Sequence, residues 1–307
     1  MSESSPTPAA SFGSVADAYD RARPSYPDAA VDWLTGGGRS HVLELGAGTG
    51  KLTEVLHRRG HHVLATDPLP PMLQLLGRRV PAPHVAAAAE HLPVRSRSVD
   101  AVVCGQSFHW FDHDRALLEA ARVLRPGGVI ALAWNGLDTS IPWVKRLDRL
   151  ISPQADPALA RPDARTAERA DPLMGTPYFG FVDTASFRIW ATHTRATLLD
   201  LARSVSHVAT MSPTARDRVL AQVGALYDDY GRGHDGMQVP YVTRCYRAVV
   251  RHQELPPEET ARPEQPPRPQ RSGADIPPPG LEDDGEPTGP ITREPPEDPG
   301  MQLIDFR

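Results

Sequence analysis

The chain has 307 residues, 40% of them hydrophobic, and a formal net charge of −5, so it can bury a large core and has no excess of positive charge. Its basic and acidic residues are interspersed, which argues against a nucleic-acid partner, and no apolar run reaches the length that a membrane-crossing helix needs. The two cysteines, Cys104 and Cys245, fit neither a disulfide framework nor a metal-ligand spacing, so a cytoplasmic setting and no bound metal are expected.

Residues 1–10 are rich in Ser, Pro and Ala and are expected to form a disordered N-terminus. A folded domain is expected over 11–252. From 253 to 307 the composition turns to Pro, Glu, Asp, Gly and Arg, with too few apolar groups to offset the entropy of ordering. That tail reads as disordered and as a candidate docking segment for a protein partner. Within the domain, residues 11–35 come first. Phe12, Tyr19 and Tyr26 supply rings able to cover an apolar ligand and Arg23 a fixed positive charge, although the same segment could simply dock on a sheet. Asp28 to Leu34 follows as a helix closed by Gly36-Gly37-Gly38.

Val42-Leu43-Glu44-Leu45-Gly46-Ala47-Gly48-Thr49-Gly50 is an apolar run that ends at an acid and opens into alternating glycines. It reads as a buried strand and a loop whose glycines allow positive φ and close approach to a ligand, with Lys51 to Arg59 as the following helix. A dinucleotide fingerprint needs a glycine at position 51, where Lys51 stands, and a phosphate-binding P-loop needs Ser or Thr in place of Leu52. A second strand, His62 to Asp67, again ends in an acid. Asp67 lies about 20 residues past the loop, where a doubly wound fold sets a carboxylate against ribose hydroxyls, and it could also cap a helix over Pro68 to Leu76. Met72 on that helix is a candidate adenine contact or a core residue.

A short third strand and a loop are expected between Pro83 and Pro93. The apolar part of Ser98 to Gly105 is a fourth strand, and Gln106, Ser107, Phe108, His109, Trp110 and Phe111 then cluster where ligands sit in such sheets, beyond the carboxyl ends of the strands. Asp114 to Leu124 is an amphipathic helix, Leu124 to Gly128 a turn, and Val129 to Trp134 a fifth strand. From 136 to 180 no strand is expected, only a helix over Pro142 to Ile151; Trp143, Tyr178 and Phe179 are pocket candidates there. Phe187 to Thr194 is a sixth strand, Thr197 to Val205 and Pro213 to Tyr230 are helices, and Gln238 to Val250 is a seventh strand.

Glu44-x-Gly-x-Gly-x-Gly at the first strand, Asp67, Ala89-Glu90-x-Leu-Pro, Val99-Asp-Ala-Val-Val-Cys-x-Gln-x-Phe-His-Trp-Phe and Leu124-x-Pro-Gly-Gly together resemble the class I S-adenosylmethionine-dependent methyltransferases. The likeness is to the small-molecule group that includes trans-aconitate-type and ubiquinone-menaquinone biosynthesis methyltransferases. It implies an α/β fold: a doubly wound, Rossmann-like seven-stranded sheet, mostly parallel with an antiparallel last strand and helices on both faces. It implies S-adenosylmethionine as cofactor, with Glu44, Gly46, Ala47, Gly48 and Gln106 at the methionine end. Asp67 would take the ribose, and Pro68, Met72 and the backbone of Ala89 and Glu90 the adenine. Ala88 stands where the family often carries Asp or Ser. Residues 11–35 would lie over cofactor and substrate as a lid, and 136–180 would be an insertion that forms part of the acceptor pocket. Phe12, Tyr19, Tyr26 and Trp110 would face the acceptor, and His109 is the candidate base. The implied reaction moves a methyl group to a small molecule, with a carboxylate or hydroxyl oxygen as acceptor. A cofactor-binding interaction protein without catalysis is the alternative, and a nucleotide-dependent oxidoreductase is disfavoured by Lys51.

Overall fold

Val42 and Leu43 alternate along β1 (His41–Leu45), and both are fully buried, so this strand has core on each side. The computed structural model describes residues 23–152, 173–231 and 235–251, all within one unit of the chain. The expected N-terminus 1–10, Phe12, Tyr19 and the tail 253–307 lie outside the described residues.

After α1 (Asp28–Thr35), strands and helices alternate: β1, α2 (Lys51–Arg58), β2 (His62–Asp67), α3 (Pro70–Arg79), β3 (His84–Ala86), β4 (Val99–Gly105), α4 (His113–Val123) and β5 (Leu124–Leu137). The second half carries α5 (Pro142–Ile151), β6 (Phe179–His193), α6 (Arg195–Ser204), α7 (Ser206–Ala209), α8 (Pro213–Tyr230) and β7 (Met237–Val250). The strands form one seven-stranded sheet in the order β3-β2-β1-β4-β5-β7-β6. β1 to β5 are parallel, and β7 runs against both its neighbours, so β6 points the same way as the first five. The order reverses between β1 and β4, and a fold of this kind opens its ligand crevice at the carboxyl ends of those two strands.

Each face of the sheet has its own packing. Val31 and Leu34 of α1 and Val55 and Leu56 of α2 bury Val42, Val63, Ala101 and Val103. On the other face Ala116, Leu117 and Ala120 of α4 cover Leu43, Leu45, Val102 and Leu132. Leu147 of α5, Leu198 and Leu201 of α6 and Leu226 of α8 pack with Val239 and Tyr241 at the start of β7. Each large aliphatic side chain fully buried in this way stabilises the fold by about 1.5–3 kcal/mol in transfer free energy.

Of the boundaries that differ from the sequence reading, three starts have a clear local cause. α3 begins at Pro70 rather than Pro68, because the Asp67 carboxylate accepts from the Leu69 N–H and holds the preceding turn open. β5 begins at Leu124, where pairing with Val99 precedes an irregularity that carries Arg125 to Gly128, and the strand resumes opposite Ala101 at Val129. β6 begins at Phe179, not Phe187. Its register slips between Phe179 and Val182, and Asp183, Thr184 and Ser186 break the apolar alternation that marks a strand. Tyr178 and Phe179 consequently belong to the core beneath α4 rather than to a pocket, and Trp143 stacks on Tyr230 with centroids 6.0 Å apart.

Candidate active site

The loop after β1 takes a left-handed backbone at three glycines: φ is 66° at Gly46, 56° at Gly48 and 83° at Gly50. A Cβ at Gly46 would lie 2.5 Å from the Ser107 Cβ, and one at Gly50 would lie 2.8 Å from the Leu76 Cγ. At Gly48 the same atom would meet nothing within 4 Å. Two glycines therefore pack the loop onto β4 and α3, while the middle one leaves open space above the loop, the form a ligand cradle needs.

Glu44 is almost fully buried beneath this loop and accepts a 2.6 Å hydrogen bond from the Thr53 hydroxyl on α2. Burial pushes its carboxyl up to about 8, against the lowering by Thr53 and with a smaller upward push from Asp67. At neutral pH the group is held mostly as the acid. Asp67 is buried too, and its two oxygens accept from the N–H groups of Gly48 and Leu69, both at 2.9 Å. Burial raises its pKa and these two backbone bonds hold it down. The acid thus ties the glycine loop to the turn before α3, and each oxygen keeps a further lone pair for a ligand hydroxyl. It does not cap the helix, whose cap position is Leu69. Pro68 is exposed beside it, and Met72 is buried in the first turn of α3.

The end of β4 supplies the other wall. Gln106 holds φ at 61°, a conformation that costs a residue with a Cβ roughly 1–3 kcal/mol and clusters at functional sites. Its N–H donates to the Ala133 carbonyl at 2.9 Å and its Nε2 to the Asn135 carbonyl at 2.7 Å. The buried Ser107 hydroxyl donates to the Leu45 carbonyl at 2.7 Å, which binds the end of β4 to the root of the glycine loop. His109 and Trp110 follow in a short 3₁₀ turn, Phe108–Trp110, with ring centroids 4.8 Å apart; His109 is half-buried and Trp110 is 42% exposed. His113 belongs to the first turn of α4, stacked on the buried Phe108 ring.

The remaining sequence candidates divide. Tyr26 is buried against α2 and the sheet, with its hydroxyl at Gly105, so it reaches the end of β4 from within the core rather than from a surface lid. Ala89 buries its side chain under α4, and the Glu90 carboxylate accepts the Asp112 N–H at 2.8 Å. The sequence reading passed over Thr53, Asn135 and Thr243, and set Ser107 in the cluster after β4 without a role of its own. Of these Asn135 alone had a local signal, a polar residue directly after the apolar run Val129 to Trp134.

Among the described residues no group of three or more His, Cys, Asp or Glu side chains could hold a metal ion, and no helix is long and apolar enough to cross a membrane. Residues 43–132 match a family described as a methyltransferase domain. An uncharacterised methyltransferase of Mycobacterium bovis (strain ATCC BAA-935 / AF2122/97) is 39% identical over 246 residues, which cover 78% of this chain and 96% of that protein. A malonyl-(acyl-carrier protein) O-methyltransferase of Dechloromonas aromatica (strain RCB) is 37% identical over 134 residues, 40% of this chain and 50% of that protein. A solved structure from Anaeromyxobacter dehalogenans, provisionally named a type II methyltransferase, matches the fold with a TM-score of 0.54 at 22% identity, covering 75% of this chain and 97% of that one. A likeness of 39% that runs through nearly the whole of a relative, on a sheet whose crevice holds an open glycine loop and a buried acid at the end of β2, makes the family plain: the chain belongs to the class I S-adenosylmethionine-dependent methyltransferases and uses S-adenosylmethionine as its cofactor.

Proposed function

We propose that this enzyme methylates an oxygen of a small-molecule acceptor, a carboxylate before a hydroxyl. The observation that supports the placement is the open space over Gly48, flanked by the buried Asp67 and by Gln106 in its left-handed conformation. In this reading Glu44, Gly46, Ala47, Gly48 and Gln106 hold the methionine end and Asp67 takes the ribose hydroxyls. Pro68, Met72 and the backbone of Ala89 and Glu90 border the adenine. When bound, the cofactor supplies a methyl group already activated by the sulfonium charge.

The protein's own residues then have three tasks: to align, to exclude water and, for some acceptors, to take a proton. A carboxylate is already a nucleophile at neutral pH and needs no base, whereas a hydroxyl would call on His109. Trp110 and Tyr26, with Phe12 and Tyr19 outside the described residues, would shape the acceptor side. The partial match to a named O-methyltransferase favours oxygen, and a carboxylate can accept the methyl group without first losing a proton. The reading sets the enzyme in the cytoplasm, consistent with two free, buried cysteines, and without a nucleic-acid partner. Residues 253–307 remain a candidate segment for docking a protein.

The test is transfer of a tritiated methyl group to a panel of small carboxylic acids, phenols, alcohols and amines, followed by mild alkali. A methyl ester releases labelled methanol, and an ether or amine keeps the label. A base-stable product would overturn the carboxylate reading. Tight binding of S-adenosylhomocysteine with no turnover on any acceptor would favour the cofactor-binding interaction protein instead.

A further inference from the structure

Residues 26 back to 23 run in a line across the carboxyl ends of the strands. The Tyr26 hydroxyl lies over Gly105, where a Cβ would stand 2.7 Å from it. Next, the carbonyls of Ser25 and Pro24 accept from Asn135 Nδ2 at 3.2 and 3.3 Å, close to the end of β5. Beyond them Arg23 Nε donates to the Ser204 hydroxyl at 3.5 Å, at the end of α6. Its charge also acts on the buried Tyr241 hydroxyl, against the upward push of burial. The segment is a strap that passes from β4 over β5 to the helices of the second half.

Asn135 is where the strap meets the cofactor side of the crevice. Its backbone carbonyl accepts from Gln106 Nε2 at 2.7 Å, its Oδ1 accepts from the fully buried Thr243 hydroxyl of β7 at 2.6 Å, and its Nδ2 serves the two strap carbonyls. A side-chain amide supplies in one short group the acceptor that the hydroxyl needs and the donors that the carbonyls need. Asp would offer acceptors alone, and Leu would offer neither. Displacement at the methyl carbon depends on alignment, and a misplacement of about 1 Å can cost about 100-fold in rate.

We infer that Asn135 is a positioning residue for methyl transfer: it fastens the 23–26 strap to the strand end that holds Gln106, and so sets Arg23 and Tyr26 relative to the cofactor. The inference rests on the methyltransferase reading of this crevice. It assigns Asn135 to the acceptor side of the reaction, with no direct part in holding the donor.

The test is the nearly isosteric Asn135→Asp. This variant keeps an acceptor for Thr243 and turns the two donors into a carboxylate oxygen facing two carbonyls. In the ligand-free chain the amide of the buried Tyr26 is expected to exchange with solvent about tenfold faster than in the wild type, while those of β1 and β4 keep their protection. The dissociation constant for S-adenosylhomocysteine stays within about threefold, and kcat/KM for the best acceptor of the panel falls by about tenfold or more. Wild-type exchange at Tyr26, or a loss confined to donor affinity, overturns the inference. Should Asn135→Asp fail to fold, Thr243→Val removes only the hydroxyl that orients the amide. It is expected to speed exchange at the same amide, and wild-type exchange there again overturns the inference. If the wild-type chain binds no S-adenosylhomocysteine the methyltransferase reading itself has failed. The ligand-free exchange comparison still decides whether Asn135 holds the strap.

Discussion

Asp67 and Glu44 are both buried carboxyl groups under one loop, and their hydrogen bonds give them opposite roles. Asp67 receives two backbone N–H groups, so its charge is compensated and it can still accept from a ribose. Asp67→Ala is expected to weaken S-adenosylhomocysteine by at least about 1.4 kcal/mol, a factor of ten, in a calorimetric titration. An unchanged dissociation constant would refute the ribose role. Glu44 has one hydroxyl partner and keeps its proton, with a folded-state pKa of about 8 against an ordinary value of 4.5. Between those values the folded chain binds more protons than the unfolded one, so stability falls as pH rises through the window, by up to about 1.4 kcal/mol per pH unit. Glu44→Gln keeps an acceptor for Thr53 and cannot titrate. Urea unfolding at pH 5 and pH 8 should show the wild type losing more stability than the variant, and parallel losses would sink this account. The raised pKa of Asp67 adds a slope of the same sign, common to both proteins.

At the scale of the element, the glycine loop separates packing from ligand space. Gly46→Ala drives a methyl group into Ser107, in a backbone already strained for a side chain, and is expected to cost about 2 kcal/mol or more of folding stability. Gly48→Ala carries the backbone strain alone, roughly 1 kcal/mol, and puts its methyl where a ligand would lie. Its affinity for S-adenosylhomocysteine should therefore fall further than its stability does. Measuring both quantities on both variants separates the two cases, and equal behaviour would mean that the space over Gly48 is not used. This loop was legible in the sequence because its requirement is local: positive φ at alternate positions calls for glycine whatever lies around it. β1, β2 and β4 were legible for a similar reason, since a parallel strand buried on both faces reads as an unbroken apolar run. β6 was legible only from Phe187, because a half-exposed edge strand with a register slip has no continuous pattern. The links that assemble the site were the least legible part. Ser107 meets Leu45 across 62 positions and Thr243 meets Asn135 across 108, and no local spacing records such pairs.

Over the whole molecule, the insertion of β7 between β5 and β6 decides what can fold without what. β5 pairs with β4 on one side and β7 on the other, and β6 has β7 as its neighbour in the sheet. A chain ended at Gly236 loses the partner of both strands and the Tyr246 ring that packs edge-on against the buried Trp134. It is expected to show no cooperative thermal transition and a red-shifted tryptophan emission. A sharp transition would show instead that the first five strands stand alone.

The strand that closes the sheet is also, of the seven, the last to leave the ribosome. Until it pairs, Thr243 cannot orient the Asn135 amide, and the carbonyls of Pro24 and Ser25, made more than two hundred residues earlier, have no fastening. A nascent chain could thus shape its glycine loop well before it can align an acceptor. Catalytic competence would arrive in one step, with the final strand.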